Sequence, residues 1–218
     1  MLVLPAGSYF LLKEKIKQVT INNLFARSVI EGHVSGKVFV DNISDPQTCY
    51  IVHPYGMSLL AGDCGNEEFN SRFLVYATSG GSSPERYEWM QTFPRDWDAV
   101  IDDMFGPLIT RSAGTEGAGS AGKIELHTRV NFEFRKEKYL QRPRPGLSEK
   151  DNIAETGRDY FDKMTGSVIP GRFWDSAEDF KARGRGFTLL HAGEIASTAY
   201  SAFVIDNMLE IGIETVEK

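Results

Sequence analysis

Five carboxylates lie in or beside apolar, strand-like runs of this sequence: Asp41, Asp63, Glu194, Glu210 and Glu214. Burial beside an apolar strand penalises the charged form and raises a carboxyl pKa, which would make one of them a general base able to take a proton from an incoming nucleophile. Glu210 and Glu214 are four residues apart in one such run. The two-residue period of a strand sets both on one face, so they are the first pair to test as catalytic residues.

Other chemistry finds less support. The histidines, His33, His53, His127 and His191, are scattered singly, without the i, i+4 pairing or carboxylate spacing of a metal site, so no metal is expected. Cys49 and Cys64 have no C-x-x-C spacing and read as reduced core residues. No G-x-S-x-G run marks a nucleophilic serine. The segment from Gly117 through Gly119 and Gly122 to Lys123 and Ile124 satisfies G-x-G-x-x-G and part of a phosphate loop. Ile124, however, stands where a magnesium-binding hydroxyl belongs, and no strand leads in or helix out, so Ser112–Gly122 reads as a linker.

Composition narrows the partners. With 218 residues, 41% hydrophobic, and a net charge of −6, the chain has the makeup of a globular protein without a dominant nucleic-acid or anionic-membrane surface. The apolar start at Met1–Gly7 is too short for a signal sequence or a span, which makes the cytoplasm the expected location.

The elements that must position these residues follow in order. Apolar residues recur every three or four positions from Tyr9 to Glu31, predicting one or two helices interrupted near Thr20–Asn23. Strands are predicted at Lys37–Asp41, within Thr48–Leu60 and at Arg86–Phe93. Helices are predicted after an Asn66 cap and over Asp96–Phe105. Ile124–Phe134 alternates as a strand, and Asp151–Met164 and Ser176–Ala182 read as helices, with Ser176 a cap. Three strands close the chain: Phe187–His191, Glu194–Ile205 and Met208–Thr215, joined at Ala192-Gly193 and Asp206-Asn207. This predicts an α+β protein, with an N-terminal α/β domain over residues 1–122 and a second domain over 123–218.

Residues 182–190, with Gly186-Phe-Thr-Leu-Leu, then Gly193-Glu-Ile-Ala-Ser-Thr-Ala-Tyr and Leu209-Glu-Ile-Gly-Ile-Glu-Thr215, resemble the central strands of the GNAT family of N-acetyltransferases. More narrowly they are similar to the branch typified by the zwittermicin A resistance acetyltransferase. Phe173–Phe180 fits the helix ahead of those strands, and Gly36–Asn42 with Leu60–Asp63 is similar to that branch's N-terminal domain. The resemblance implies a mixed sheet flanked by helices that binds acetyl-CoA as co-substrate without a metal. Its pantetheine would pair with the backbone of Ile213, Glu214 and Thr215, and the acceptor would be a primary amine of a small molecule. Family members follow this strand with an Arg/Gln-x-x-Gly-x-Gly/Ala loop that cradles the pyrophosphate, which these residues do not supply. The resemblance therefore implies an incomplete C-terminal domain and an activity in doubt. The alternative is a non-catalytic interaction module, or a homodimer, pairing through the exposed edge of Leu209–Thr215.

Overall fold

The computed structural model describes residues 1–78, 88–110, 124–144 and 146–216. The chain is α+β and divides into two compact units, Met1–Asn131 and Phe132–Lys218.

The first unit is built on a five-stranded sheet: β1 (Leu2–Val3), β2 (Lys37–Val40), β3 (Thr48–Val52), β4 (Met57–Gly62) and β5 (Trp89–Phe93), in that spatial order. Neighbours are antiparallel except β4 and β5, which run parallel. A parallel step needs a crossover, and α3 (Glu67–Thr78) lies within it. Asn66 caps α3 as its sequence predicts, Oδ1 accepting from Phe69 N–H at 3.0 Å.

Alternation along β3 and β4 turns Tyr50 and Leu60 toward Phe69 and Phe73 of α3 and Trp97 and Phe105 of α4 (Trp97–Phe105), and these six form the buried cluster of this unit. Before β2 lie α1 (Lys13–Lys17) and α2 (Leu24–Ile30), separated where the sequence predicts a break. All seven residues of α2 are buried, including Arg27, whose guanidinium reaches Glu31 one turn on at 2.7 Å. Cys49 and Cys64 are free thiols, and burial pushes Cys49 up to about 12, so it stays an inert packing group at neutral pH.

The strand predicted over Ile124–Phe134 pairs only briefly. β6 (Ile109–Thr110) and β7 (Ile124–Glu125) form a short parallel pair, and Leu126 N–H still reaches Thr110 O at 3.2 Å. Beyond it no ladder continues among the described residues, and Phe132 is 92% exposed. Alternation makes a strand only where a neighbouring edge takes up its backbone groups.

The second unit holds α5 (Lys136–Leu140) and an antiparallel sheet of β8 (Asp151–Glu155), β9 (Gly186–His191), β10 (Glu194–Ile205) and β11 (Met208–Thr215), ordered β11-β10-β9-β8. The helix predicted from Asp151 to Met164 is a strand followed by a short helix, α6 (Arg158–Lys163). Ile153, Ala154, Tyr160, Phe161 and Met164 mimic helical spacing, yet the backbone of residues 151–155 is taken up by β9. The β9–β10 turn has positive φ at both Ala192 (53°) and Gly193 (90°), the twist a two-residue hairpin requires.

Ser176 caps α7 (Ala177–Arg183) by accepting from Asp179 N–H at 3.1 Å. On one face of the sheet Phe161, Phe173, Trp174 and Phe180 pack in tilted and edge-to-face contacts with each other and with Tyr200 and Phe203. Trp174 Nε1–H donates to Ser201 O at 2.8 Å, fixing the connection between α6 and α7 to β10. The opposite face carries Ile153, Phe187, Leu209, Ile211 and Ile213, each more than half exposed.

Candidate functional site along the open edge of β11

β11 pairs with β10 on one side and, among the described residues, is the sheet edge on the other. Val216 N–H donates to Ala196 O at 2.9 Å, and Glu214 O accepts from Ser197 Oγ at 2.9 Å. Both therefore turn their backbone groups toward β10. Antiparallel ladders alternate, and the register from Ser197↔Thr215 to Ser201↔Ile211 is unbroken, so Gly212 also faces β10. Ile211, Ile213 and Thr215 then direct their N–H and C=O groups out of the open edge. An extended ligand with amides of its own can pair there as an added strand.

The side chains sort the other way. Glu210, Gly212 and Glu214 share the face turned toward the helices, opposite Phe203, Tyr200 and Thr198 across the ladder. Glu210 and Glu214 are half-buried. Glu214 lines an open cleft of about 300 Å³ with Thr165, Gly166, Ser167, Thr215 and Val216. Its Oε2 accepts the backbone N–H of Val168, in the connection after α6. Glu210 is four residues back along β11, about 13 Å at the rise of an extended strand. It does not line the cleft, so the two carboxylates cannot serve one reacting atom together.

The remaining sequence candidates have other tasks. Asp41 Oδ1 accepts Gln47 N–H and Thr48 N–H at 3.0 Å each, and Asp63 Oδ1 accepts Gly65 N–H at 2.9 Å, so both are turn acceptors. Glu194 is exposed at the start of β10. His191 Nδ1 pairs with Asp151 Oδ1 at 2.7 Å, on strands at the far side of the sheet from β11. His53 is buried, and desolvation lowers it to about 4, so it is neutral at physiological pH. The glycine-rich segment from Gly117 to Lys123 lies outside the described residues.

Strand period and resemblance put Glu214, Ile213 and Thr215 among the sequence candidates, and the structure places them along this edge. Thr165, Gly166, Ser167 and Val168, which the structure places beside Glu214, are not among those candidates, because no local pattern connects them to β11. A larger cleft of about 420 Å³ in the first unit, lined by Met1, Val3, Phe39, Ser71, Arg72 and Val75, holds no acid or base except Arg72, already paired with Glu68 at 2.9 Å, and the chain's N-terminal amine. Among the described residues no group of three or more His, Cys, Asp or Glu side chains is placed to hold a metal ion, and no helix is long and apolar enough to cross a membrane.

Comparison with known proteins converges on one family. The family model described as GNAT acetyltransferase matches residues 14–218. The uncharacterized N-acetyltransferase YdfB of Bacillus subtilis (strain 168) is 24% identical over 199 residues, covering 89% of this chain and 68% of that protein. The crystal structure of a GCN5-related N-acetyltransferase-like protein from Streptococcus suis 89/1591 matches with a TM-score of 0.59 at 16% identity, over 98% of this chain and 78% of that one. At that identity the shared property is the fold.

Proposed function

The chain belongs to the GNAT acetyltransferase family, and on that premise we propose that it transfers an acetyl group from acetyl-CoA to a primary amine of a small molecule. The observation that carries this reading is the open edge of β11, where Ile211, Ile213 and Thr215 offer backbone donors and acceptors beside the Glu214 cleft. Bound acetyl-CoA supplies an acyl thioester. The outward amides of Ile213 and Thr215 hold its extended arm and keep it in line with the cleft.

Glu214 supplies the base. An amine attacks only when neutral, and a carboxylate at the cleft wall both attracts the ammonium form and takes the proton it must lose. The finer likeness of residues 173–215 to the branch typified by the zwittermicin A resistance acetyltransferase is part of this reading, and makes a small-molecule amine the acceptor to test first. Two copies pairing through β11 would occupy the same backbone groups, so that homodimer and acetyl-CoA binding exclude one another. Family membership disfavours the non-catalytic alternative.

The test is thiol release from acetyl-CoA by the purified protein with putrescine, lysine or kanamycin as acceptor. Amine-dependent release is expected from the wild type, falling about 100-fold in kcat for Glu214→Gln. Glu210→Gln should leave the rate little changed. No amine-dependent release, together with no acetyl-CoA binding by calorimetry, would overturn the reading.

A further inference from the structure

Resting on the proposed acetyl transfer, we propose that the loop Gly166–Val168 is a positioning element that fixes the Glu214 carboxylate, with Gly166 as the residue that makes this possible. Two observations meet there. Val168 N–H donates to Glu214 Oε2 across 46 residues of sequence. A Cβ on Gly166 would lie 2.5 Å from Glu214 Cδ and 2.8 Å from both Cγ and Oε2.

Gly166 is held as glycine for two separate reasons. Its φ of 130° is a backbone conformation that L side chains rarely adopt, and the space a methyl would fill is taken by the Glu214 side chain. The loop thus lies directly against the carboxylate, and the Val168 amide takes one of its two oxygens. Among the described residues no protein group donates to Oε1. With Oε2 engaged, the carboxylate cannot rotate freely, so Oε1 is the oxygen presented to an amine in the cleft lined by Thr165, Ser167 and Thr215. A base held in one orientation needs no rotational search at the moment of proton transfer, which is a gain in kcat rather than in co-substrate affinity.

The contact is testable without turnover. Hydrogen exchange at the Val168 amide, followed by NMR, should be protected in the wild type and in Glu214→Gln, which keeps an acceptor oxygen. It should speed about tenfold or more in Glu214→Ala. A double-mutant cycle adds a second measure: Gly166→Ala should lower the Tm by about 5 °C in the wild type and by distinctly less in Glu214→Ala, where the steric part of the penalty is gone. Unchanged exchange at Val168 in Glu214→Ala, or equal Tm losses in both backgrounds, would sink the clamp.

Its role in transfer is read by a split in the kinetics. With acetyl-CoA and putrescine, lysine or kanamycin, whichever the wild type acetylates, Gly166→Ala should cut kcat about tenfold or more with the KM for acetyl-CoA unchanged. A merely structural defect would raise that KM as well, and would overturn the positioning role. A wild-type protein without turnover would overturn the acetyl-transfer reading and the positioning role with it, while the exchange measurement would still decide whether the clamp exists.

Discussion

Gly212 of β11 lies directly across the ladder from Tyr200 of β10, and a Cβ added to Gly212 would stand 2.6 Å from Tyr200 Cζ and 2.8 Å from its hydroxyl oxygen. The ring occupies the space a side chain would need. Tyr200 cannot give way, because it is buried and held edge to face against Phe180 and tilted against Phe173. Gly212 is therefore a seat for a core ring.

Gly212→Ala should accordingly destabilise the protein by about 1–3 kcal/mol, the usual cost of forcing an extra methyl into a packed site. Thermal unfolding would show it as a lower Tm. The penalty should shrink in a Tyr200→Leu background, since contacting residues couple and distant ones add. Additivity of the two changes would mean that the ring is not what fills the space.

The open edge predicts an asymmetry between neighbouring proline substitutions. Ile213→Pro removes an N–H that points away from β10, so the ladder survives and the Tm should change little, while affinity for acetyl-CoA falls about tenfold. Glu214→Pro removes an N–H that faces β10 and should lower the Tm clearly. Calorimetry on the first variant and thermal unfolding on both decide it. Equal Tm losses would show that the alternation along β11 is assigned the wrong way round.

How far the site could be read from the sequence depends on the range of the interactions that build it. The hairpins of β9, β10 and β11 were legible because turn chemistry at Ala192-Gly193 and Asp206-Asn207 and the flanking alternation are local properties. The face shared by Glu210 and Glu214 follows from strand period alone. β8 was hidden because only Ile153 in its five residues favours a strand, and a helix-like spacing continues through Tyr160 and Phe161. The approach of Gly166 and Val168 to Glu214 is a tertiary contact, and nothing in Thr165-Gly-Ser-Val168 announces it. Asp41 and Asp63 were plausible bases by their neighbours; their real partners are backbone amides in turns.

His53 gives the first unit a pH dependence of definite sign. Burial holds the folded pKa at about 4, below the ordinary 6.5. Above pH 6.5 the ring is neutral in both states and costs nothing. Between 6.5 and 4 the unfolded chain takes up a proton that the folded chain refuses, so stability falls with pH by about 3 kcal/mol in total and levels off below 4. His53→Gln should flatten this part of the profile in denaturant unfolding measured from pH 7 to 4. A wild-type profile already flat over that range would show that the ring is not desolvated in the folded protein.

Asp151 acts in the same sense at lower pH, since its folded pKa is also depressed. The His191 hydrogen bond, followed by the Ser148 backbone N–H, holds its carboxyl at about 2, below the ordinary 3.8. Its contribution is fully present above pH 3.8 and disappears as pH falls through about 2, because there the folded state must at last accept the proton that the unfolded state already carries. His191→Ala removes the larger cause, so the Asp151 carboxyl should titrate closer to its ordinary value when followed by carbon-13 NMR, with Ser148 N–H left as its partner. The same substitution joins no part of the proposed transfer site, since β8 and β9 lie beyond β10 from the open edge, and amine-dependent thiol release should persist. A large loss of kcat in His191→Ala would place the dyad in the chemistry and displace Glu214 as the base.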